Sequence, residues 1–298
     1  MVVSSPAKLN LYLRVLGKRR DGYHEIVTLF HRISLADTIH LRKIKEGIRL
    51  VCSHPRVPIK DNLIVRAFHL LKSEYPFRGG VAVRLTKRIP VAGGLGGGSS
   101  NAAAFLLGMN GLFKLKLTLP QLSGLGAKLG ADIPFFLSGT RQAIGRGRGD
   151  RIKNLPFKGQ LWFLLFPVDR GLATAEVYAG LGLQKSRPGR GASHLSGHPV
   201  LTQVTRDVKL LSAFSENGNL FRAEQLFVND LTRSAERIRP ALGKMREKLD
   251  GLQLGRCRMS GSGPTLFIVF PSKKKARHAQ RTIKRKLGAQ SVILCHSY

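Results

Sequence analysis

The chain has 298 residues, 43% of them hydrophobic, enough for a well-buried core organised as two domains. Its longest apolar runs, LWFLLF (161–166) and AAAFLL (102–107), are far too short to span a bilayer, and MVVSSPAKLNLYL is read as lacking a secretory signal. Three scattered cysteines, Cys52, Cys257 and Cys295, speak for a reduced, cytoplasmic protein without a disulfide framework, while 50 Lys+Arg against 17 Asp+Glu, a formal +33, attracts polyanions without choosing among nucleotides, RNA and anionic membrane.

Leu9, Leu11, Leu13 and Val15 alternate with Asn10, Tyr12 and Arg14, the pattern of a strand with one buried face. The Asp21-Gly22 pair in RRDGYHEI marks a tight turn, and strands are expected near 25–34, 37–45 and 48–53. A helix over 61–74 has Asp61 or Asn62 as its cap. GVAVRL (80–85) is a further strand that leads through TKRIP into a glycine-rich stretch, with helices expected near 100–113 and 118–129.

After LPFKG the pattern restarts with strand LWFLLF, and QKSRPGRGASHLSGHP (184–199) is polar and aperiodic, a loop. Helices are expected at about 202–214, 219–228 and 231–249, then strands near 253–258 and 264–270, a helix over 272–288 and a strand near 290–295. In SKKKARHAQRTIKRKLG, Ala276, Ala279, Ile283 and Leu287 recur at helical spacing with lysines and arginines opposite. That reads first as a solvated helix face and second as a polyanion site. Antiparallel-looking strands with grouped helices give an α+β chain with a boundary near residue 157.

Five glycines fall within six positions at 93–98. Each costs roughly 0.5–1 kcal/mol relative to alanine in an ordered segment, so the backbone itself is needed for something. GGLGGGSSNAAAFLLGMN completes neither G-x-x-x-x-G-K-[ST] nor G-x-G-x-x-G. It does aim free main-chain N–H groups and a helix N-terminus carrying Ser99 and Ser100 at one point, an anion site. The plainer reading is a flexible turn.

Other candidate groups are ambiguous from the residues alone. Asp132, shortly before Pro134, reads equally as a helix N-cap and as a carboxylate for acid–base work. Lys8 at a strand start reads as solvent-exposed, and Tyr23-His24 as a surface pair. His194 and His198 lack the H-E-x-x-H context of a zinc site, no G-x-S-x-G elbow occurs, and no metal site is assigned.

PVAGGLGGGSSNAAA (90–104) resembles the phosphate loop of the GHMP small-molecule kinases, P-x-x-x-G-L-[GS]-S-S-x-A. The family's other two motifs stand in order, PAKLNLYLRV near the start and MSGSGPTLFIVF (259–270) near the end, so the resemblance extends over nearly the whole chain. AKLNLYLRVLGKRRDGYHEIVTLF and LGADIPFFLSG are further similar to an isoprenoid-pathway branch of that family, whose small-molecule substrate carries a cytidine diphosphate group.

The resemblance implies a two-domain α+β fold, ribosomal-S5-like over 1–157 and ferredoxin-like over 158–298, with the active site in the cleft between them. It implies ATP as donor, Mg²⁺ carried by that ATP, and direct in-line transfer to a substrate hydroxyl. Pro90, Gly94, Leu95, Gly96, Gly97, Gly98, Ser99, Ser100 and Asn101 take the positions of the ATP-binding loop, whose main-chain amides replace a P-loop lysine. Ser260, Gly261 and Gly263 match the segment supporting the phosphate end. Asp132 takes the position of the catalytic base and Lys8 that of its cationic partner. Asn10, Tyr23, His24 and Tyr178 match substrate-binding positions, the histidine on the cytosine edge and the rings on its faces.

AIGRGRGDRI (143–152) departs from the family's usual G-R-G-E in having Asp150, to which no role is assigned. Two rival readings remain: another kinase of the family, acting on homoserine, mevalonate or a sugar, and a non-catalytic polyanion-binding or RNA-binding protein on a kinase-like fold. The Tyr23-His24 pair argues against the first, and the presence of both Lys8 and Asp132 against the second. No membrane partner is expected, and oligomeric state is not legible.

Overall fold

The structure, a computed structural model, describes residues 1–168, 171–183, 199–288 and 291–298. The polar stretch 184–199, with His194 and His198, lies outside them except for position 199, where a helix begins.

Two long antiparallel strands, β1 (Val2–Lys18) and β2 (His24–Ile44), form the spine of the first half. The strands expected at 25–34 and 37–45 are one, because β1 is long enough to stay paired across the gap, with Pro6 opposite Ala36 and Ser5 opposite Asp37. β2's other edge is shared by β4 (Gly80–Thr86) along Thr38–Ile44 and by β5 (Gln142–Gly147) along Ile26–His31. β3 (Ile48–Cys52) joins β4 in parallel, and β6 (Arg151–Asn154) joins β5. The β5–β6 hairpin was not expected, since its Gly and Arg residues hide any apolar alternation.

The alternation in β1 does not produce one wet face. Register shifts at Pro6/Lys8, Asn10/Tyr12 and Val15/Gly17 interrupt the period-2 pattern, and Leu9, Asn10, Leu11, Tyr12 and Leu13 are all buried. Layers on both sides explain this. Helices α1 (Leu63–Glu74), α2 (Gly97–Leu112), α3 (Leu119–Leu129) and α4 (Ile133–Leu137) build a core against Phe30, Ile39, Leu41, Val81 and Val83. On the opposite side Leu9, Leu11, Tyr12 and Leu29 pack with Phe163, Val204, Leu211 and Phe227 of the second half. Of the two candidate caps for α1, Asn62 serves, its Oδ1 accepting from Ile64 N at 3.0 Å.

The second half centres on a sheet of order β10-β7-β9-β8, formed by β7 (Trp162–Phe166), β8 (Arg258–Met259), β9 (Leu266–Phe270) and β10 (Ile293–His296). Its helices are α5 (Thr174–Ala179), α6 (Pro199–Glu216), α7 (Thr232–Ile238), α8 (Pro240–Asp250) and α9 (Lys273–Leu287). The helix expected over 231–249 is split at Arg239-Pro240, where proline disfavours helical backbone in the preceding residue. Leu220–Leu226 is a 3-10 helix rather than an α-helix, and the strand expected over 253–258 shrinks to Arg258–Met259.

α9 matches its pattern: Ala276, Ala279 and Ile283 are buried while its lysines and arginines are exposed. Residue 157 falls between β6 and β7. The chain's last residues cross back over it, Tyr298 N donating to Arg32 O and His31 Nε2 lying 2.8 Å from Ser297 Oγ. Among the described residues no helix is long and apolar enough to cross a membrane.

Candidate active site

A cavity of about 980 Å³ opens between the halves. β1 contributes Lys8 and Asn10, the β1–β2 hairpin Tyr23 and His24, the glycine loop Pro90 to Ser99, and the second half Thr174, Tyr178 and Gly261.

The loop's shape comes from two glycines in particular. Gly94 and Gly96 have φ of +74° and +68°, backbone that L side chains rarely adopt. A Cβ on Gly94 would lie 2.3 Å from the main-chain oxygen of Ser260. The third motif therefore presses directly on the loop: Ser260 Oγ donates to Gly94 O at 3.1 Å and accepts from Asn10 N at 3.2 Å. Asn229, which no sequence signal marked, holds that motif by donating to Met259 O and Gly261 O, both at 2.8 Å.

α2 starts at Gly97, three residues before the expected 100, so Ser99 and Ser100 lie inside its first turn. Only Ser99 of the two lines the cavity. Ser100 Oγ is turned inward, donating to Pro6 O at 2.7 Å and accepting from Ser5 at 2.8 Å. Asn101 likewise spends its amide below the loop, on Ser5 Oγ at 2.8 Å and Asp37 Oδ2 at 2.9 Å, while its Oδ1 accepts from Lys87. The side chains of Ser100 and Asn101 are thus committed to buried contacts beneath the loop, although Asn101 also borders the cavity.

Asp37 is the hub of that network. It accepts from Arg88 N at 2.7 Å and Ile89 N at 2.8 Å and pairs with Lys87 Nζ, anchoring the approach to the glycine loop. The pair is 50 positions apart in sequence and carries no local signature.

Lys8 is 3% exposed, against the expectation for a lysine at a strand start. The glycine loop closes over it, with Lys8 N donating to Leu95 O at 3.0 Å. Its ammonium donates to Asn10 Oδ1 at 2.5 Å and Gly94 O at 3.1 Å and stands 3.3 Å from Asp132 Oδ2. Asn10 is oriented for this because its Nδ2 is committed to Thr28 Oγ1 at 2.8 Å.

Asp132 holds the N-cap position of α4, yet its side chain makes no capping bond. It turns toward Lys8 and the cavity, its side chain 29% exposed. The ambiguity between cap and available carboxylate resolves toward the latter. Arg32, directly opposite Lys8 in the β1–β2 ladder, donates to Phe135 O at 3.3 Å and Phe136 O at 3.0 Å. The same strand pair thus grips α4 at both ends.

At the far end, His24 and Tyr178 stack at 4.8 Å between centroids and 28° between planes. Three stacked rings span about 7 Å, so no base fits between these two. Burial, with Lys18's charge adding to it, holds the His24 pKa below its usual value and the ring neutral near pH 7. Burial and then Asp132 push the Tyr178 hydroxyl up, keeping it a donor. Tyr23 is 53% exposed and stands free of that stack, with Arg148 over its ring. Every assigned site residue except Ser100, Ser260 and Gly263 lines the cavity, and the last two sit behind the loop they support.

Comparison with known proteins places this geometry. The model of the GHMP kinases N terminal domain matches residues 62–140 and that of the GHMP kinases C terminal matches residues 208–289. A 4-diphosphocytidyl-2-C-methyl-D-erythritol kinase of Synechococcus sp. (strain JA-3-3Ab) is 39% identical over 282 residues, covering 93% of this chain and 87% of that one. One of Polynucleobacter necessarius is 37% identical, covering 90% and 83%. Among solved structures, a 4-(cytidine 5'-diphospho)-2C-methyl-D-erythritol kinase superposes with a TM-score of 0.74 at 32% identity, covering 99% of this chain and 98% of that one. A homoserine kinase from Cytophaga hutchinsonii shares the fold at 16% identity, with a TM-score of 0.69 and coverage of 100% and 94%. Two matched domains, near-complete coverage at these identities and a glycine loop clamped by the third motif lead to one conclusion: the chain belongs to the GHMP kinases.

Proposed function

We propose that the chain transfers the γ-phosphoryl group of ATP to the 2-hydroxyl of 4-diphosphocytidyl-2-C-methyl-D-erythritol, a cytoplasmic step of non-mevalonate isoprenoid precursor synthesis. The observation that carries the reading is the span of one cavity, with the Lys8–Asp132 contact beneath the glycine loop and the Tyr23, His24 and Tyr178 rings at the other end. Residues 1–157 and 158–298 are read as its N- and C-terminal domains.

In this mechanism Asp132 accepts the substrate hydroxyl proton as that oxygen attacks the γ-phosphorus in line and the bond to ADP breaks. Lys8, held by Asn10 and Gly94, offsets negative charge developing on the attacking oxygen. Loop amides from Gly94 to Ser99 receive the triphosphate. Mg²⁺ would be carried by that triphosphate, and the Ser99 hydroxyl on the cavity wall is an oxygen donor that would suit a hard cation. When bound, it neutralises phosphate charge. His24 hydrogen-bonds the cytosine edge, and Tyr23 and Tyr178 cover its faces.

A coupled ADP-release assay tests the substrate. Turnover is expected with the diphosphocytidyl compound and not with mevalonate, homoserine or nucleotide-free methylerythritol phosphate; equal turnover of the last would remove the cytosine pocket from the reading. In the same assay Tyr178→Ala is expected to raise KM for the cytidylyl substrate roughly 5- to 150-fold, the worth of one base–aromatic stack, with the KM for ATP nearly unchanged.

The exposed cations of α9 support a second, additional property, non-specific polyanion binding. RNA affinity is expected to fall steeply with salt and to ignore sequence. Replacing Lys274, Arg277, Arg281 and Lys284 by Gln should cut the slope of log affinity against log salt by about 3. Tight, salt-resistant, sequence-selective binding in a filter assay would instead favour a dedicated RNA-binding role.

A further inference from the structure

Arg148 stands in the turn between β5 and β6 on the cavity wall, and the reaction proposed above does not use it. Its flanking glycines, Gly147 and Gly149, have φ of +71° and +99°, so the chain reverses sharply there and delivers the side chain to the cavity. Asp150 holds it from two directions. Asp150 Oδ2 accepts from Arg148 Nη2 at 2.7 Å and from Nε at 3.0 Å, while Oδ1 accepts the Arg148 main-chain N–H at 3.2 Å.

The guanidinium so fixed lies over the Tyr23 ring, 4.8 Å from its centroid. Tyr23 is half-exposed at the tip of a hairpin, where an unsupported ring samples several rotamers. A planar, rigidly held guanidinium removes that freedom by stacking on one face. A second tie joins the same two turns: Gly147 N donates to Glu25 Oε1 at 3.1 Å, and Arg19 donates to Glu25 Oε2 at 2.6 Å. The hairpin tip and the β5–β6 turn are therefore one unit.

We propose that Arg148 is a positioning residue which, braced by Asp150, covers one face of Tyr23 and presents the other to the cytosine base of the substrate. This rests on the reading of Tyr23 as a ring that covers the base. It also accounts for Asp150, the departure from the family's usual glutamate, as a short carboxylate that bonds both the side chain and the main chain of the residue two positions before it.

The test is a kinetic cycle with KM for each substrate, kcat and Tm measured for Arg148→Met, Arg148→Lys, Asp150→Asn, Tyr23→Ala and Tyr23→Ala/Arg148→Met. Arg148→Met is expected to raise KM for the cytidylyl substrate about 2- to 30-fold, the range of one cation–π contact, with kcat and the KM for ATP within about twofold of the parent. Asp150→Asn shifts the same KM less, and Arg148→Lys, which keeps the charge but not the plane, restores only part of the loss. In the Tyr23→Ala background Arg148→Met should add under about twofold, because the two act together.

Independent, multiplying effects of the two substitutions overturn the proposal. So does an unchanged cytidylyl KM in Arg148→Met where Tyr23→Ala raises it, or a rise in both KM values with a lowered Tm, which marks a merely structural role. An unchanged KM in Tyr23→Ala is a different outcome. It overturns the cytosine-pocket reading itself, and the proposal with it.

Discussion

Asp132→Asn is expected to lower kcat by at least about 10²-fold, the low end for loss of a general base, while ATP affinity changes little. The substitution keeps the shape of the side chain and its place at the head of α4. Because that side chain makes no capping bond, the helix loses no cap. What it loses is the proton acceptor 3.3 Å from the Lys8 ammonium. Lys8→Ala should also reduce kcat, and the double variant should cost less than the product of the single effects, because the two groups act as a unit. Near-normal turnover by a folded Asp132→Asn protein would remove Asp132 from the mechanism and leave transfer to positioning and charge neutralisation alone. Single-turnover measurements at saturating substrate separate these outcomes, since they report chemistry without product release.

The parts of the site that were legible in sequence are those made by the backbone or by local order. The glycine stretch, the helix after it and the third motif are contiguous, and their residue types state what the main chain must do. Asp132 and Lys8 were legible only as positions matching a family pattern; nothing local distinguishes Lys8 from a solvated lysine, because its burial comes from Leu95 and Gly94 folding over it from 86 or more positions away.

The groups that escaped notice all act at long range. Asp37 in β2 meets Lys87 just past the end of β4, Arg32 reaches α4 from β2, and Asn229 holds the third motif from the segment preceding α7. None of these pairings has a spacing that a periodicity search can find. The β1 alternation misled for a related reason. Bulges and a second packed layer bury both faces, and neither is written in the strand's own residues. The inward turn of the Ser100 and Asn101 side chains was likewise not legible, because it follows from α2 beginning at Gly97, which carries them beneath the loop.

The loop's glycines, alike in sequence, differ in what they do, and this sets the second large effect. Gly94→Ala should weaken ATP binding about 10- to 100-fold, because two costs fall on one residue. Its φ of +74° is a left-handed conformation that costs roughly 1–2 kcal/mol for a residue with a Cβ. That Cβ would also lie 2.3 Å from Ser260 O and 2.9 Å from Gly263 O, both main-chain atoms that cannot swing aside. The loop must then lift from the third motif, breaking the Ser260–Gly94 bond and withdrawing the carbonyl that Lys8 holds. At about 1.4 kcal/mol per tenfold, strain of this order accounts for the predicted range. Gly98→Ala is the comparison: it lies within α2 at ordinary φ, and its added Cβ meets nothing nearer than Leu63 Cδ1 at 3.6 Å. That variant should fold at least as stably as the parent, by about 0.5–1 kcal/mol from helix propensity, and bind ATP far better than Gly94→Ala does. Calorimetric titration of both variants decides the matter. Equal ATP affinity in the two would mean that the left-handed turn at Gly94 does not shape the nucleotide site, and that the clamp between loop and third motif serves stability alone.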